Sequence, residues 1–96
     1  YIKAVLKKVE DKVSFEGANL SYIDLSGLEL KEGNFKKADF THANLSNAIL
    51  WHSEFEVANL TGVDLSEADI SSADFSNAQL FKANFSSTRC WTTNRE

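Results

Sequence analysis

The sequence predicts a solenoid built on a five-residue unit, and two observations predict it. Every fifth residue from Phe15 to Phe85 is Phe, Leu or Ile, without a break in fifteen positions. Two residues before each of these sits a small or apolar residue: Val13, Ala18, Ile23, Leu28, Gly33, Ala38, Ala43, Ala48, Ser53, Ala58, Val63, Ala68, Ala73, Ala78 and Ala83. A helix repeats every 3.6 residues and a strand every 2, so neither gives this spacing; a stacked repeat does. Each unit then buries two side chains and shows three to solvent.

Residues 1–12 precede the repeats. Ile2, Val5, Leu6 and Val9 fall at i, i+3, i+4 and i+7, which predicts a short amphipathic helix from Tyr1 to Asp11. The open end of a β-solenoid exposes unpaired edges, and the apolar stripe of this helix is expected to cover the first coil as an N-terminal cap.

Residues 13–92 carry the repeat. Between the small and the large position lies mostly Asn or Asp, as in Asn19, Asp24, Asn34, Asp39, Asn44, Asn59, Asp64, Asp69, Asp74 and Asn84. These residues tolerate turn geometry and hydrogen-bond their own backbone. The runs Ala18-Asn19-Leu20, Ala38-Asp39-Phe40, Ala43-Asn44-Leu45, Ala58-Asn59-Leu60, Ala68-Asp69-Ile70, Ala73-Asp74-Phe75 and Ala83-Asn84-Phe85, each followed by two variable residues, resemble the pentapeptide repeat family. The resemblance implies an all-β fold, a right-handed parallel quadrilateral β-helix of about four coils in which four units make one square turn. Stacking at twenty residues then sorts the large residues into columns. Phe15, Phe35, Phe55 and Phe75 form one, and Leu20, Phe40, Leu60 and Leu80 another. Leu25, Leu45, Leu65 and Phe85 form a third, and Leu30, Leu50, Ile70 and Cys90 the fourth. At ~4.8 Å per coil the tower is roughly 19 Å tall. Stacked rings in the Phe column add roughly 0.5–1.5 kcal/mol per pair beyond burial. The absence of proline suits a backbone whose donors serve coil-to-coil bonds.

At the far end the repeat fades. Cys90 and Trp91 are expected to close the last coil, with Cys90 facing the core, and residues 93–96 form a frayed, disordered tail. A single cysteine makes no internal disulfide. The chain begins at Tyr1 and has no methionine, which suggests a segment of a larger protein. No eighteen-residue apolar stretch and no targeting signal is visible, so the segment is expected to be soluble and its compartment stays open.

Charge and motifs narrow the function. The net charge is −4, with the acidic excess concentrated in the repeats and a small basic excess in residues 1–12. No basic stripe exists to hold nucleic acid. The side carrying Asp24, Asp64 and Glu67 has no base, whereas Lys36 and Lys37 lie one coil from Glu16, Glu54 and Glu56. His42 and His52 are ten residues apart, hence on opposed sides, and cannot share a metal or a proton relay. His52-Ser53-Glu54 has a His-x-Glu spacing, but the paired cysteines of a zinc deaminase site are missing. The glycines are scattered, and no serine has a neighbouring base. These patterns predict neither an enzyme nor a cofactor or metal site.

The family resemblance implies one further possibility, since some relatives mimic duplex DNA and bind type II topoisomerases such as gyrase. Here the tower would match only five or six base pairs at ~3.4 Å each, and three acids on a side are few beside two phosphates per base pair. The preferred expectation is a non-catalytic protein-interaction or scaffold module, within a larger protein such as an effector or adaptor. Its partner is an unidentified protein rather than nucleic acid or membrane, and a monomer is expected over a weak homodimer. One place breaks the repeat: Ile49 replaces the usual Asn or Asp, and Trp51 and His52 face outward. Trp91 follows two coils above Trp51 on the same side. Exposed aromatic clusters with polar rims mark partner-binding surfaces, so Ile49, Trp51, His52 and Trp91 form the candidate contact surface.

Overall fold

Each five-residue unit leaves one residue in register with its counterpart twenty residues on. In the computed structural model, which describes residues 12–90, twelve parallel bridges link these counterparts in four columns. The first side holds Ser14, Asn34, Glu54 and Asp74, and the second Asn19, Asp39, Asn59 and Gln79. The third holds Asp24, Asn44, Asp64 and Asn84, and the fourth Glu29, Ile49, Asp69 and Arg89. Four units therefore close one coil, giving coils at 13–32, 33–52, 53–72 and 73–90. The bridges are isolated single residues, because a turn after every rung stops the ladder before a longer strand can form. The expected helix over residues 1–12 falls, but for Lys12, outside the described residues, as do Trp91 and the tail at 93–96.

The backbone donors of one unit account for this geometry. The Asn34 N–H reaches down to the Val13 carbonyl, while those of Phe35 and Lys37 reach up to the carbonyls of Glu54 and Glu56. The Ala38 N–H closes a turn on the Phe35 carbonyl at 3.1 Å, and the Lys36 N–H goes to the Asn34 side-chain oxygen at 3.1 Å. All five donors are satisfied without water. The Asn or Asp at the rung thus supplies an acceptor for the residue two further on, as the sequence leads one to expect.

The left-handed turn position lies elsewhere. It is the second variable residue of every unit, from Gly17 to Ser87, with φ between +55° and +74°. A positive φ at the third residue of a four-residue turn, closed by an i to i+3 bond, defines a type II turn. Only Gly17, Gly27 and Gly62 meet that demand with glycine; the other twelve positions carry side chains, among them Glu32, Lys37, His42, His52 and Val57.

The core runs up the tower axis. Phe35, Phe40, Leu45, Leu50, Phe55, Leu60 and Leu65 are fully buried beside Ala38, Ala58, Val63 and Ala68. The Phe column stacks as the twenty-residue repeat predicts, with ring centroids 6.1 Å apart for Phe15–Phe35 and 5.0 Å for both Phe35–Phe55 and Phe55–Phe75. Gly33 leaves room for the Phe35 ring, since a Cβ there would stand 2.6 Å from it. Ser53, the one buried polar side chain among the described residues, donates to the Leu30 carbonyl at 3.1 Å.

The ends of the tower differ. In the first coil Leu20, Leu25, Leu28 and Leu30 are at most 7% exposed, whereas Leu80 and Phe85 of the last coil stand at 40% and 37%. Cys90, expected in the core, is exposed. Among the described residues no coil lies above it, so the inward register does not produce burial there. The Phe85 ring meets that of Phe75 edge-on at 6.4 Å and 86°.

Candidate interaction surface

The fourth side departs from the Asn/Asp pattern at three of its four rungs, Glu29, Ile49 and Arg89. With Ile49 at the rung, no side-chain oxygen caps the Trp51 N–H in the way Asn44 caps that of Ser46. Ile49 is half-buried and bridges Glu29 below and Asp69 above. Its branched side chain lays apolar surface along a wall whose other rungs, Glu29, Asp69 and Arg89, are charged.

Trp51 follows directly and is 40% exposed. Its indole Nε1 donates to Asp69 Oδ2 at 2.6 Å, which fixes the ring against the next coil. Lys31, one coil below, places Nζ 5.6 Å from the ring centroid, within cation–π range. Asp69 also accepts from the Ser71 N–H at 3.1 Å and from its hydroxyl. Partial burial pushes the Asp69 carboxyl up, but the bonds from Ser71 and Trp51, with the charge of Arg89, outweigh it and hold the group below the usual carboxylate range. Asp69 stays anionic and keeps its acceptor for the indole. A ring anchored this way loses little freedom when a partner covers it.

His52 occupies the left-handed position at the end of the same side, with φ +55°, and is exposed. It borders an open cleft of about 450 Å³ that runs up the corner between Glu32, Asn34 and Glu54. The carboxylates there are partly neutralised by long, exposed ion pairs, Lys12–Glu32 at 3.8 Å and Lys36–Glu54 at 3.9 Å. Such pairs contribute at most about 1 kcal/mol each. Lys36 also lies near Asp74, whose carboxyl is held low chiefly by the Ser76 hydroxyl and N–H.

Of the four residues singled out by sequence, the structure brings Ile49, Trp51 and His52 together, and Trp91 lies outside the described residues. Sequence reasoning missed Asp69 and Lys31 as the supports of the indole. Their signal was the twenty-residue offset, which places Lys31 and Ser71 directly below and above Trp51. On the opposed side Tyr22 stacks on His42 at 5.3 Å, and His42 in turn covers Gly62, where a Cβ would fall 2.5 Å from Nδ1. Tyr22 and Phe81 there are 75% and 68% exposed, more than Trp51. Lys82 Nζ stands 5.4 Å from the Phe81 ring centroid. The two histidines thus belong to opposed sides, and among the described residues no group of three or more His, Cys, Asp or Glu could hold a metal ion. No described helix is long and apolar enough to cross a membrane.

Stacked five-residue units, four to a coil, define a repeat module of the β-solenoid class. A family model for pentapeptide repeats matches in 8 copies, over residues 11–47, 38–77 and 58–89, and the chain belongs to that family. Among solved structures it is similar to the pentapeptide repeat protein Rfr23 from the cyanobacterium Cyanothece 51142, with a TM-score of 0.79 and 27% identity, covering 80% of this chain and 52% of that one. HetL, a pentapeptide repeat protein involved in heterocyst differentiation regulation from Nostoc sp. strain PCC 7120, shares 28% identity at a TM-score of 0.49, covering 82% of this chain and 41% of that one. A pentapeptide repeat protein of the Arabidopsis thaliana thylakoid lumen shares 20% identity at a TM-score of 0.47, covering 92% of this chain and 66% of that one. The chain spans about half the length of Rfr23. No curated protein matches it.

Proposed function

We propose that the chain is a non-catalytic protein-interaction or scaffold module, and that Ile49, Trp51, His52 and Trp91 form its contact surface for a protein partner. The observation that carries this reading is Trp51, an indole left 40% exposed yet locked in place by the 2.6 Å bond to Asp69. Packing does not need it, since the inward positions of that coil are filled by Ala48 and Leu50. A pre-fixed aromatic beside an apolar rung and a polar cleft has the make-up of a binding hot spot, where truncation costs about 2 kcal/mol or more.

The test is partner capture from the cognate cell extract with the wild-type chain and with Trp51→Ser and Trp91→Ser, singly and together. Loss of a captured protein, with the far-ultraviolet spectrum unchanged, is the expected outcome. Equal capture by the double variant overturns the assignment of this surface. Family membership further supports a right-handed coil, and the spacing of Ile2, Val5, Leu6 and Val9 supports residues 1–12 as its cap; a crystal structure showing a left-handed coil, or those residues away from the first coil, would contradict it.

A further inference from the structure

We infer that the second side of the tower is a docking strip for a polyproline II segment of a partner protein, laid along the tower axis over Tyr22, His42 and Phe81. The strip lies opposite Ile49 and Trp51, and the inference does not rest on that surface.

The strip is aromatic where packing needs no ring. Tyr22 is 75% exposed and Phe81 68%, while the inward positions of the lower coils on this side are already filled by Leu20, Ala38 and Phe40. The outer rings are nevertheless held in place. Tyr22 stacks on His42 with centroids 5.3 Å apart, and the imidazole lies over Gly62, where a Cβ would stand 2.5 Å from Nδ1. Glycine at 62 thus removes the side chain that would lift the imidazole off the wall. Rings fixed in this way lose little freedom when a partner covers them.

The hydrogen-bonding groups beside the rings select the occupant. Asn19 and Asn59 spend their oxygens on caps, Asn19 Oδ1 accepting from the N–H and hydroxyl of Ser21, and Asn59 Oδ1 from those of Thr61. Their amide Nδ2 groups, and the side-chain amide of Gln79, donate to nothing among the described residues. Charge is sparse on this side: Asp39 caps Thr41, and Lys82 stands over the Phe81 ring. Rings with spare donors and little net charge suit an apolar ligand that brings acceptors and few donors. A proline-rich segment is such a ligand, since each proline has a carbonyl and no N–H, and polyproline II makes no internal hydrogen bonds. A sugar chain would bring a donor with every hydroxyl.

The spacing agrees with this choice. Asn19 and Asn59 lie two coils apart, ~9.6 Å at ~4.8 Å per coil, and polyproline II repeats every three residues, ~9.3 Å. Carbonyls three residues apart therefore face both amides at once, and the prolines between them pack on Tyr22 and His42. Docking of such segments on aromatic-lined surfaces is a recurring mode of peptide recognition. From Tyr22 to Phe81 is three coils, roughly 14 Å, which holds about five residues of the segment.

NMR titration of the isotope-labelled chain with acetyl-hexaproline amide tests the inference, carried to about 5 mM, above the ~1 mM of a weak complex. Saturable shifts are expected at Tyr22, His42 and Gly62 and in the side-chain amides of Asn19 and Asn59, with none at Trp51. Asn19→Asp with Asn59→Asp removes the donors and keeps the caps, since Asp39 holds Thr41 by the same pair of bonds. Binding should weaken at least about tenfold in that variant, and likewise in Tyr22→Ala, a change at an exposed position. Trp51→Ser should bind the peptide as the wild type does, so that failure of this strip and failure of the Trp51 surface are read separately. Absence of saturable shifts, undiminished binding by the double Asp variant, or an equal response to maltohexaose or to a glycine-serine hexapeptide overturns the inference.

Discussion

At the scale of the residue, the tower depends on one backbone conformation repeated at every corner. Glycine occupies it at Gly17, Gly27 and Gly62, while Val57 is the least suited occupant, β-branched at φ +63° and 52% exposed. A side chain in the left-handed region costs about 1–2 kcal/mol, against which glycine loses about 0.5–1 kcal/mol of unfolded-state entropy. Val57→Gly should therefore stabilise the chain by about 0.5–1 kcal/mol in urea denaturation, since little packing is lost at so exposed a position. Gly17→Ala should do the reverse by about 1 kcal/mol, although a Cβ there meets nothing within 4 Å. Equal stabilities for both variants would show that the corners are relaxed. The sequence did not reveal this position. Lys, Glu, His, Asn and Ser share the left-handed corner without a common chemistry, because the fold requires only that the side chain stay out of the way. The Asn and Asp residues, which do share a chemistry, advertise the neighbouring rung and its capping bond instead.

At the scale of the element, the unit of stability is the column rather than the coil. Phe55 lies between Phe35 and Phe75 at 5.0 Å on each side and touches Phe40 at 5.7 Å, fully buried. Phe15 has one ring neighbour among the described residues, Phe35 at 6.1 Å, and is half-buried. Phe55→Ala should cost about 3–5 kcal/mol, and Phe15→Ala roughly half of that, because the cavity at Phe55 is walled on all sides. Denaturant midpoints at unchanged slope would check the ratio; equal losses would mean that the column does not act as a continuous stack. This layer was legible in the sequence, since a Phe at every fourth unit specifies the stack as soon as the coil length is known. The candidate surface was legible in part. Ile49 and Trp51 announce themselves by breaking the pattern, whereas Asp69 looks like any other rung, and only its 2.6 Å bond to the indole separates it from Asp39 or Asp74. The exposure of Leu80, Phe85 and Cys90 was hidden for a similar reason, because an unbroken register states which way a side chain points and not whether anything lies above it.

At the scale of the whole molecule, the carboxylates at the rungs link stability to pH. The Thr41 hydroxyl and N–H hold Asp39 below its ordinary value, and the Ser76 hydroxyl and N–H, with Lys36 nearby, do the same for Asp74. Both groups are depressed on folding, so the folded state binds their protons less readily than the unfolded state does. Their contribution is therefore complete above the unfolded value near 3.9 and disappears as pH falls through the lower folded values. Thermal stability should be level from about pH 7 to about pH 5 with respect to these groups and should fall below about pH 4. The tower itself provides the control. At Asn59, directly above Asp39, an amide oxygen caps Thr61 with the same pair of bonds, at 3.1 Å to the N–H and 2.7 Å to the hydroxyl, and it carries no titrating proton. Asp39→Asn with Asp74→Asn should thus leave the neutral-pH stability nearly unchanged while flattening the acid decline. Melting curves of the double variant between pH 2 and pH 7 decide the matter. An acid decline as steep as that of the wild type would place the titration elsewhere in the tower, and a large loss at neutral pH would show that the charge itself, not the capping oxygen, holds these corners.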